Sequence, residues 1–591
     1  MQETSRKVSL ASVEKCHKQY EALPPRGAKP NRRTDGRREW TILSGLLLKI
    51  RDPSRQQDDD NDEIHLIALA TGVKCSPLDR ISAQGDILHD SHAEILTRRA
   101  ARRWFLRRLS DENQHWDEDA SEEPVRGEAL HGIPRIFERI PEVVNRWRLR
   151  QKVQVLWYMS TLPCGDASTA HLQMNRSARY QSEREEMTLS DGLEVERTDL
   201  ALHPHVFRPN GSESSSKRED TVASSEVVRG RANATSLSTL RTKPGRPDSL
   251  PSASLSCSDK LASYVALGLQ GSLLSALVEP IIPSAFIIGF VPNDQIPLST
   301  EEQGKALQQD CQRALWDRLG VCFDSEIGFD NAKPRKPPTI TLIPNPGFCH
   351  SKESVECAVR AELGPHQAWD DVEPVPAAGS VTWIRTERSK GNQENVVAGL
   401  KMGASPAKKK GQELLPLHAS RRSTLCKLNW YREFLQVDTE LRRRKDEEAG
   451  GLPTQRDSYF GAKNDSDNQH VLAYRRRKLH LRGWLSGPAT SDPSWVESAA
   501  QRRHRQDREW QSIKSFVGSS GWTVAELEAT RLASAVEIHS AESSGDVLVH
   551  EPRTESPFFG WLVLGSRAES FDSEGMLRST TQPSRNSSRS P

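Results

Sequence analysis

The segment KVQVLWYMSTLPCGDAST, residues 152–169, joins a run of β-forming residues to a Pro-Cys turn. Val, Trp and Tyr are enriched in strands, so the run predicts a strand that ends before Pro163. Cys164 then stands where the first cysteine of a Cys-x-x-Cys metal hook would stand, but the residue three positions on is Ala167. Either Cys164 binds no metal, or its partner lies elsewhere in the chain.

Strand-like and helix-like segments alternate on both sides of this strand. Residues 38–50 and 63–72 have β character, whereas residues 92–109 (HAEILTRRAARRWFLRRL) have the apolar spacing of a helix. The alternation predicts an α/β protein with helices packed on a mixed sheet. Residues 172–250 are rich in Ser, Arg and Glu and lack a periodic apolar pattern, which predicts a polar insertion.

The composition indicates that the ordered part is smaller than the chain. Of 591 residues, 35% are hydrophobic and 27% are charged, and Ser, Pro and Arg collect in blocks. The 82 basic and 80 acidic side chains leave a net charge of only +2, so no global field attracts a polyanion. Any polyanion must therefore meet local basic runs such as 441–445 and 474–478, which by themselves are equally typical of solvated helix faces.

The cysteine spacing and the length of the apolar runs indicate the cellular compartment that we expect for the protein. Nine cysteines without even spacing, and no secretory leader, argue against a disulfide framework and for a reducing compartment. The most apolar run, residues 279–291, is too short to span a bilayer and is interrupted by Pro280 and Pro283. We therefore expect an intracellular protein of the nucleus or cytoplasm, without a membrane partner.

A second motif supplies candidates for the missing partner of Cys164. In DSHAEIL, residues 90–96, His92 and Glu94 flank a small alanine where a loop becomes a helix. In SCSDK, Cys257 lies at another predicted helix start, where amide groups and positive potential suit a thiolate. His92, Cys164 and Cys257 would give a metal three ligands and leave one position open for water, which is the catalytic arrangement. The other seven cysteines are interpreted as small buried hydrophobes.

Four segments together resemble the adenosine deaminases acting on RNA, and within them the tRNA-specific branch. They are HAEILTRRA (92–100), STLPCGDAS (160–168), LRTKPGR (240–246) and the helical pattern at 256–281, in the family's order. The resemblance implies a cytidine-deaminase-like three-layer core, with a mixed β-sheet flanked by helices, a C-terminal helical extension and disordered insertions. It divides the chain into a polar N-terminal segment (1–37), a deaminase domain (38–500) and a low-complexity tail (501–591).

The resemblance also implies the chemistry. His92, Cys164 and Cys257 match the family's zinc ligands, and Glu94 matches its proton shuttle. The implied reaction is zinc-dependent hydrolytic deamination of adenosine to inosine in tRNA, at position 37 beside the anticodon of alanine tRNA. No segment resembles a double-stranded-RNA-binding module, which favours the tRNA branch. We expect tRNA as the partner, with no DNA and no obligate protein partner.

Three alternatives stay open. An adenosine deaminase of mRNA or double-stranded RNA would use the same chemistry. A free-nucleoside or cytidine deaminase is disfavoured because such enzymes hold their two cysteines as Cys-x-x-Cys. A non-catalytic RNA-binding subunit with a structural zinc would have no chemical need for Glu94.

The family also buries inositol hexakisphosphate beneath its active site, in a cage of cations. The positions that match cage contacts are Arg98, Arg99, Lys260, Ser272, Lys427, Tyr459, Lys463, Tyr474, Lys478 and Trp495. Asp90 and Lys260 resemble a polar link between the cage and the zinc site. Two departures remove expected cations: Ser263 and Tyr264 stand where many members have Arg-Trp, and Ser498 stands where the mRNA-editing branch has lysine.

Overall fold

The computed structural model describes a set of segments that together form one packed body. They are residues 2–51, 62–77, 82–114, 132–175 except 142 and 144, 240–243, 254–319, 336–364, 368–386, 391–408, 415–446, 458–481 except 466 and 467, and 571–577, with the positions 80, 228–229, 237, 252 and 569. The predicted insertion and tail lie mostly outside the described residues.

The described elements follow the alternation expected from the sequence. The strands are β1 (Glu39–Trp40), β2 (Leu43–Ile50), β3 (Glu63–Thr71), β4 (Val73–Cys75), β5 (Asp90–His92), β6 (Phe137–Arg139), β7 (Trp147–Leu149), β8 (Val153–Met159), β9 (Val228–Arg229), β10 (Arg241–Thr242), β11 (Ala285–Phe290), β12 (Thr339–Pro344), β13 (Val375–Pro376), β14 (Gly379–Ile384), β15 (Asn392–Val397) and β16 (Leu400–Lys401). The helices are α1 (Gln2–Glu21), α2 (Pro25–Ala28), α3 (Ala93–Gln114), α4 (described over 166–175), α5 (Cys257–Leu267), α6 (Gly271–Leu274), α7 (Thr300–Leu315), α8 (Lys352–Glu362), α9 (Trp369–Val372), α10 (Lys427–Asp446), α11 (Tyr459–Lys463) and α12 (Gln469–Leu481). A 3-10 turn, Asp317–Leu319, follows α7.

Eight of the strands form one mixed sheet, in the order β12-β11-β8-β2-β3-β14-β15-β16. β11 runs parallel to both of its neighbours, and the pairs from β8 to β16 are antiparallel. The strand of the Pro-Cys segment, β8, therefore lies inside the sheet between β2 and β11. The predicted α/β class, with a mixed sheet flanked by helices, is confirmed.

The sequence of β8 shows why both faces of the sheet are covered. Val155, Trp157 and Met159 belong to one buried cluster, whereas Leu156 and Tyr158 belong to another on the opposite face. Successive side chains of a strand point to opposite faces, so an unbroken apolar run indicates burial on both. Helix α3 packs on β2, β3 and β14, while α1 contacts β2, β3, β8 and β12.

The N-terminal segment contributes to the second face. Residues 1–37 are predicted to be a polar segment, but residues 2–21 form α1. Val13, Cys16 and Tyr20 are buried on its sheet-facing side. Spacings of three and four residues place these side chains on one helical stripe, which is too narrow to stand out in a segment whose other residues are polar.

A short piece of the predicted tail also lies in the core. Phe571 is fully buried, and its ring stacks on Tyr459 of α11 with centroids 5.1 Å apart. The backbone amide of Tyr459 donates to the carbonyl of Phe571 at 2.8 Å, and that of Phe460 donates to the carbonyl of Glu569 at 3.0 Å. This part of the chain is thus held by packing and by backbone pairing. The domain boundaries inferred from sequence stay predictions.

Within the described helices, none combines the length and the apolar character needed to cross a bilayer.

Truncating the buried ring of Phe571 tests whether this returning piece stabilises the core. We expect Phe571→Ala to lower the free energy of unfolding by about 3–5 kcal/mol, because it leaves a cavity against Tyr459. Met576→Ala, at a neighbouring position that is 38% exposed, is the control and should change the value by less than about 0.5 kcal/mol. Urea unfolding of both variants gives the comparison, and equal effects would contradict the packing described here.

Candidate metal and catalytic site

His92 and Glu94 lie where β5 passes into α3. His92 ends the strand, and Glu94 lies in the first turn of the helix. One oxygen of Asp90, Oδ1, accepts hydrogen bonds from the backbone amide and from Nδ1 of His92, both at 3.0 Å. This contact orients the imidazole and leaves Nε2 as the nitrogen that can bind a metal.

Cys164 and Cys257 meet although 93 residues separate them in the chain. Cys164 follows β8, and Cys257 is the first residue of α5, whose N-cap is Ser256. The backbone amide of Cys257 donates to Sγ of Cys164 at 3.3 Å. The pKa of the Cys164 thiol is held well below its usual value, first by a hydrogen bond from Cys257 and then by the Lys243 ammonium group. The partner that the opening segment lacks is therefore supplied by α5, and Cys164 is disposed to be a thiolate.

Ala167, at the position where a Cys-x-x-Cys hook would have its second cysteine, contacts the start of α5 through its backbone. The backbone amide of Ala167 donates to Oγ of Ser258 at 3.1 Å, and that hydroxyl donates to the carbonyl of Cys164 at 3.0 Å. Between them, Gly165 has a φ of +103°, and a Cβ on it would lie 2.2 Å from Oγ of Ser256. Only glycine fits this close approach, so the Cys164 turn is shaped to receive the start of α5.

Lys243 is a site residue that sequence reasoning missed. Its side chain is 2% exposed, and its Nζ donates to Oδ2 of Asp90 at 2.9 Å and to Sγ of Cys257 at 3.1 Å. Burial alone would lower the pKa of Lys243, but Asp90 and the two cysteines raise it well above its usual value. The residue lies inside LRTKPGR, one of the segments that carry the family resemblance, and no local motif distinguishes it.

Asp90 connects the candidate metal site to Lys260. Besides Lys243, its Oδ2 accepts from Nζ of Lys260 and from Oγ of Ser254, both at 2.6 Å. Burial would raise the pKa of this carboxyl, but the two ammonium groups and His92 hold it well below its usual range. The predicted polar link between Asp90 and Lys260 is thus a direct ion pair.

Glu94 has the environment of a proton-transfer group. It is 1% exposed, and its Oε2 has no hydrogen-bond partner among the described residues. Burial, and then the charge of Cys164, raise the pKa of its carboxyl. Glu94, His92 and Cys164 line the same cavity, of about 1470 Å³, so the carboxyl can exchange a proton with a molecule bound there.

The three predicted ligands lie together in a hydrogen-bonded arrangement. Cys164 contacts both Cys257 and His92. Among the residues that the structure describes, no three His, Cys, Asp or Glu side chains are already spaced as ligands around one ion. The donor set of two sulfurs and one imidazole, the lowered pKa of Cys164 and the unpartnered oxygen of Glu94 fit a zinc ion with one open position.

A second cavity, of about 180 Å³, gathers most of the predicted cage residues. Arg98, Ser272, Tyr459, Lys463, Tyr474 and Lys478 all line it. Arg99 instead donates to the carbonyl of Leu425 at 2.9 Å, and Lys427 forms an ion pair of 2.8 Å with Glu569. Lys463 pairs with the same carboxylate. Trp495 and Ser498 lie outside the described residues.

Arg102 is a further residue that the sequence analysis missed. It lies one turn after Arg98 on α3 and lines the second cavity with it. The Nε atoms of both arginines are buried and have no hydrogen-bond partner in the described part of the chain. Burial and the charge of Arg98 lower the pKa of Arg102 to about 9. Such donors fit an anionic ligand with many oxygen atoms.

Tyr264 follows Ser263, the position at which an expected arginine is missing, and it contacts a cation of the second cavity. Arg98 lies over the ring of Tyr264, 4.0 Å from its centroid, and the same ring is stacked with that of Trp157 of β8. A cation over an aromatic face is attracted by the ring quadrupole, so Tyr264 stabilises a cation that is already present.

Comparison with known proteins identifies the family of the chain. Residues 68–488 match the adenosine-deaminase (editase) domain, and the chain belongs to that family. It is 31% identical over 304 residues to tRNA-specific adenosine deaminase 1 of Saccharomyces cerevisiae, covering 51% of this chain and 61% of that protein. It is 27% identical over 399 residues to tRNA-specific adenosine deaminase 1 of Homo sapiens, covering 54% and 73%. A double-stranded RNA-specific editase B2 of Mus musculus is 31% identical over 230 residues, covering 39% and 25%.

The match is partial in length. The chain spans 61% of the Saccharomyces cerevisiae relative and 53% of the Schizosaccharomyces pombe relative, another tRNA-specific adenosine deaminase 1.

Replacing Asp90 tests the buried ionic link. We expect Asp90→Asn to lower the free energy of unfolding by about 3–5 kcal/mol, because the ammonium groups of Lys243 and Lys260 then lose their buried counter-charge. Asp35→Asn, which removes an exposed partner of Arg37, is the control and should leave stability unchanged. Urea unfolding measures both, and a neutral result for Asp90→Asn would refute the link.

Proposed function

We propose that this protein is a zinc-dependent deaminase that converts adenosine to inosine in tRNA. The observation that carries the proposal is the Oε2 atom of Glu94, which has no hydrogen-bond partner in the described part of the chain and is buried beside His92 and Cys164 in the large cavity. Membership of the adenosine-deaminase (editase) domain family supports the reaction. A non-catalytic subunit with structural zinc would have no use for this carboxyl.

The proposed metal ligands are His92, Cys164 and Cys257. Zinc, when bound, supplies a Lewis acid that makes water acidic enough to be a nucleophile near neutral pH. Glu94 takes a proton from the attacking water and delivers protons to N1 of the adenine and to the departing amino group. Adenosine and water thereby give inosine and ammonia. Asp90 orients His92, and Lys243 stabilises the negative charge of the sulfurs.

The proposed substrate is an adenosine in the anticodon loop, at position 37 of alanine tRNA. The names of the Saccharomyces cerevisiae and Homo sapiens relatives support a tRNA substrate, and the family resemblance suggests the position. Adenine must leave its stack to present C6, which costs least in a single-stranded loop. The cavity of about 1470 Å³ exceeds the common range of small-molecule pockets, about 300–1,000 Å³, so a free nucleoside is a poorer match.

The rim of the large cavity offers contacts for neighbouring nucleotides. Trp369 lines it, and the guanidinium group of Arg360 lies 4.0 Å from its ring centroid. Basic side chains on the same rim include Lys74, Arg80 and Lys352. In proteins that bind single-stranded RNA, the bases stack on aromatic rings and the phosphates pair with cationic side chains.

We propose that this RNA-modifying activity takes place in the nucleus or cytoplasm, without an obligate protein, DNA or membrane partner.

Inosine formation by purified protein tests the proposal. We expect conversion on alanine tRNA, one zinc per chain and no comparable conversion of free adenosine. Glu94→Gln should keep its zinc and fold but lose about 10²–10⁴-fold in kcat, because the proton shuttle is removed and no ligand is. Glu353→Gln changes an exposed carboxyl on the same cavity and should remain active.

Other outcomes of this assay would point elsewhere. Near-normal activity of Glu94→Gln would refute the catalytic assignment. Conversion of an RNA duplex in preference to alanine tRNA would favour a double-stranded-RNA substrate. The similarity of the chain to the Mus musculus double-stranded RNA-specific editase B2 is the observation behind this alternative. Zinc undiminished in a Cys164→Ala, Cys257→Ala double variant would refute the ligand assignment.

We further propose that inositol hexakisphosphate occupies the second cavity as a structural cofactor. Support comes from the number of cations there and from the buried Nε atoms of Arg98 and Arg102 without hydrogen-bond partners. Like charges buried together are strongly unfavourable unless an anion compensates them. The carboxylate of Glu569 pairs with Lys427 and Lys463 at one side of this group.

Mass spectrometry of denatured protein tests this cofactor. We expect active protein to release an inositol polyphosphate in about one-to-one ratio, and Arg98→Ala together with Arg102→Ala to reduce both the yield of folded protein and the released ligand. Arg107→Ala is the matched control, because this half-buried arginine of the same helix pairs with Glu433 and does not line the second cavity. Active, folded wild-type protein that releases no polyphosphate would contradict the proposal.

A further inference from the structure

The two cysteine turns carry matching acids. Cys164 is followed two residues later by Asp166, and Cys257 is followed two residues later by Asp259. Both carboxylates are completely buried. Neither carboxylate contacts the cavity of Glu94, so the catalytic chemistry does not explain why two charges are buried beside the sulfurs.

Both aspartates bind arginines from a single segment, formed by α7 and the 3-10 turn after it. Nη1 of Arg313 lies 2.6 Å from Oδ2 of Asp166. Nη1 of Arg318 lies 2.9 Å from Oδ1 of Asp259 and 4.0 Å from Oδ2 of Asp166. The side chain of Arg318 is 2% exposed, so its charge stands between the two carboxylates inside the protein.

Asp259 also holds the elements around Cys257. Its Oδ2 accepts from the hydroxyl of Ser256 at 2.6 Å, and Ser256 is the N-cap of α5. The same oxygen accepts from the backbone amide of Arg241 at 3.0 Å, which fixes β10 two residues before Lys243. A shift of Asp259 would therefore move Cys257 and Lys243 together.

No short covalent link sets the distance between the sulfurs of Cys164 and Cys257. In a Cys-x-x-Cys hook two intervening residues fix that distance, whereas here the cysteines are 93 residues apart. Non-covalent contacts between the turns must replace the missing spacer. Ser258 provides one such contact, through the carbonyl of Cys164, and the arginine segment provides another at the opposite side of the turns.

We propose that Arg318, assisted by Arg313, is a positioning residue that sets the spacing of Cys164 and Cys257 and thereby the affinity for zinc. The inference rests on the proposed zinc site. Arg318 acts through Asp166 and Asp259, the carboxylates that follow the two cysteines. Groups that orient metal ligands from outside the coordination shell typically change metal affinity about 10–100-fold when replaced.

An ordinary core ion pair would behave differently. It would lower the stability of the zinc-free and zinc-loaded protein equally and leave zinc affinity unchanged. A positioning residue changes the difference between the two states, because zinc binding then has to draw misplaced sulfurs together.

The experiment is a competition titration of purified full-length protein with zinc and a chromogenic chelator. We expect Arg318→Gln to weaken zinc binding by about 10–100-fold. Arg318→Lys keeps the charge and should retain more of the affinity. Arg313→Gln, at a side chain that is 23% exposed, is the second variant in case Arg318→Gln does not fold. Lys305→Gln removes an exposed cation paired with Glu301 on the same helix and should bind zinc as the wild type does.

The outcomes separate the two proposals. Wild-type protein that binds no zinc would overturn the proposed metal site itself. Wild-type protein that binds zinc, with unchanged affinity in the folded variants of Arg318 and Arg313, would overturn the positioning role alone. Weaker binding in these variants and not in Lys305→Gln would establish it.

Discussion

The ionic and hydrogen-bonding contacts of the buried Asp90 carboxylate are what the arrangement of the candidate metal site depends on. One oxygen orients His92, and the other accepts from Lys243, Lys260 and Ser254. A carboxylate in a medium of low polarity is stable only when opposite charges and donors surround it, and each of these lysines needs the same compensation in return. His92, Lys243 and Lys260 therefore belong to one ionic unit around Asp90, and none of them can be altered alone.

The sequence was most informative where chemistry requires a contiguous motif. His92 and Glu94 are two residues apart at one helix start, Cys164 lies in the turn after β8 and Cys257 begins α5, so the sequence alone singled them out as candidates. The β-rich run of β8 likewise indicated a strand that ends before Pro163. These features are local, and local geometry determines them.

Residues whose importance comes from contacts distant in sequence were missed. Lys243 lies beside polar, non-periodic segments, and only the folded chain brings it to Asp90, 153 residues earlier. Arg102 is one of many arginines on α3, and its burial depends on α10, where Trp430 lies 4.3 Å from its guanidinium group. Glu569 and Phe571 belong to a segment whose composition resembles a tail. No periodic apolar pattern indicates that this segment packs against the rest of the chain.

The docking of Ser258 on the Cys164 turn has a consequence for the chain between the cysteines. Since cross-turn contacts hold the sulfurs, the length of the connecting segment has no geometric bearing on coordination, and each doubling of a flexible loop costs only about 0.6 kcal/mol. A cut in that segment would leave His92 and Cys164 on one fragment and Cys257 on the other, so a metal site built from these three residues would require both fragments.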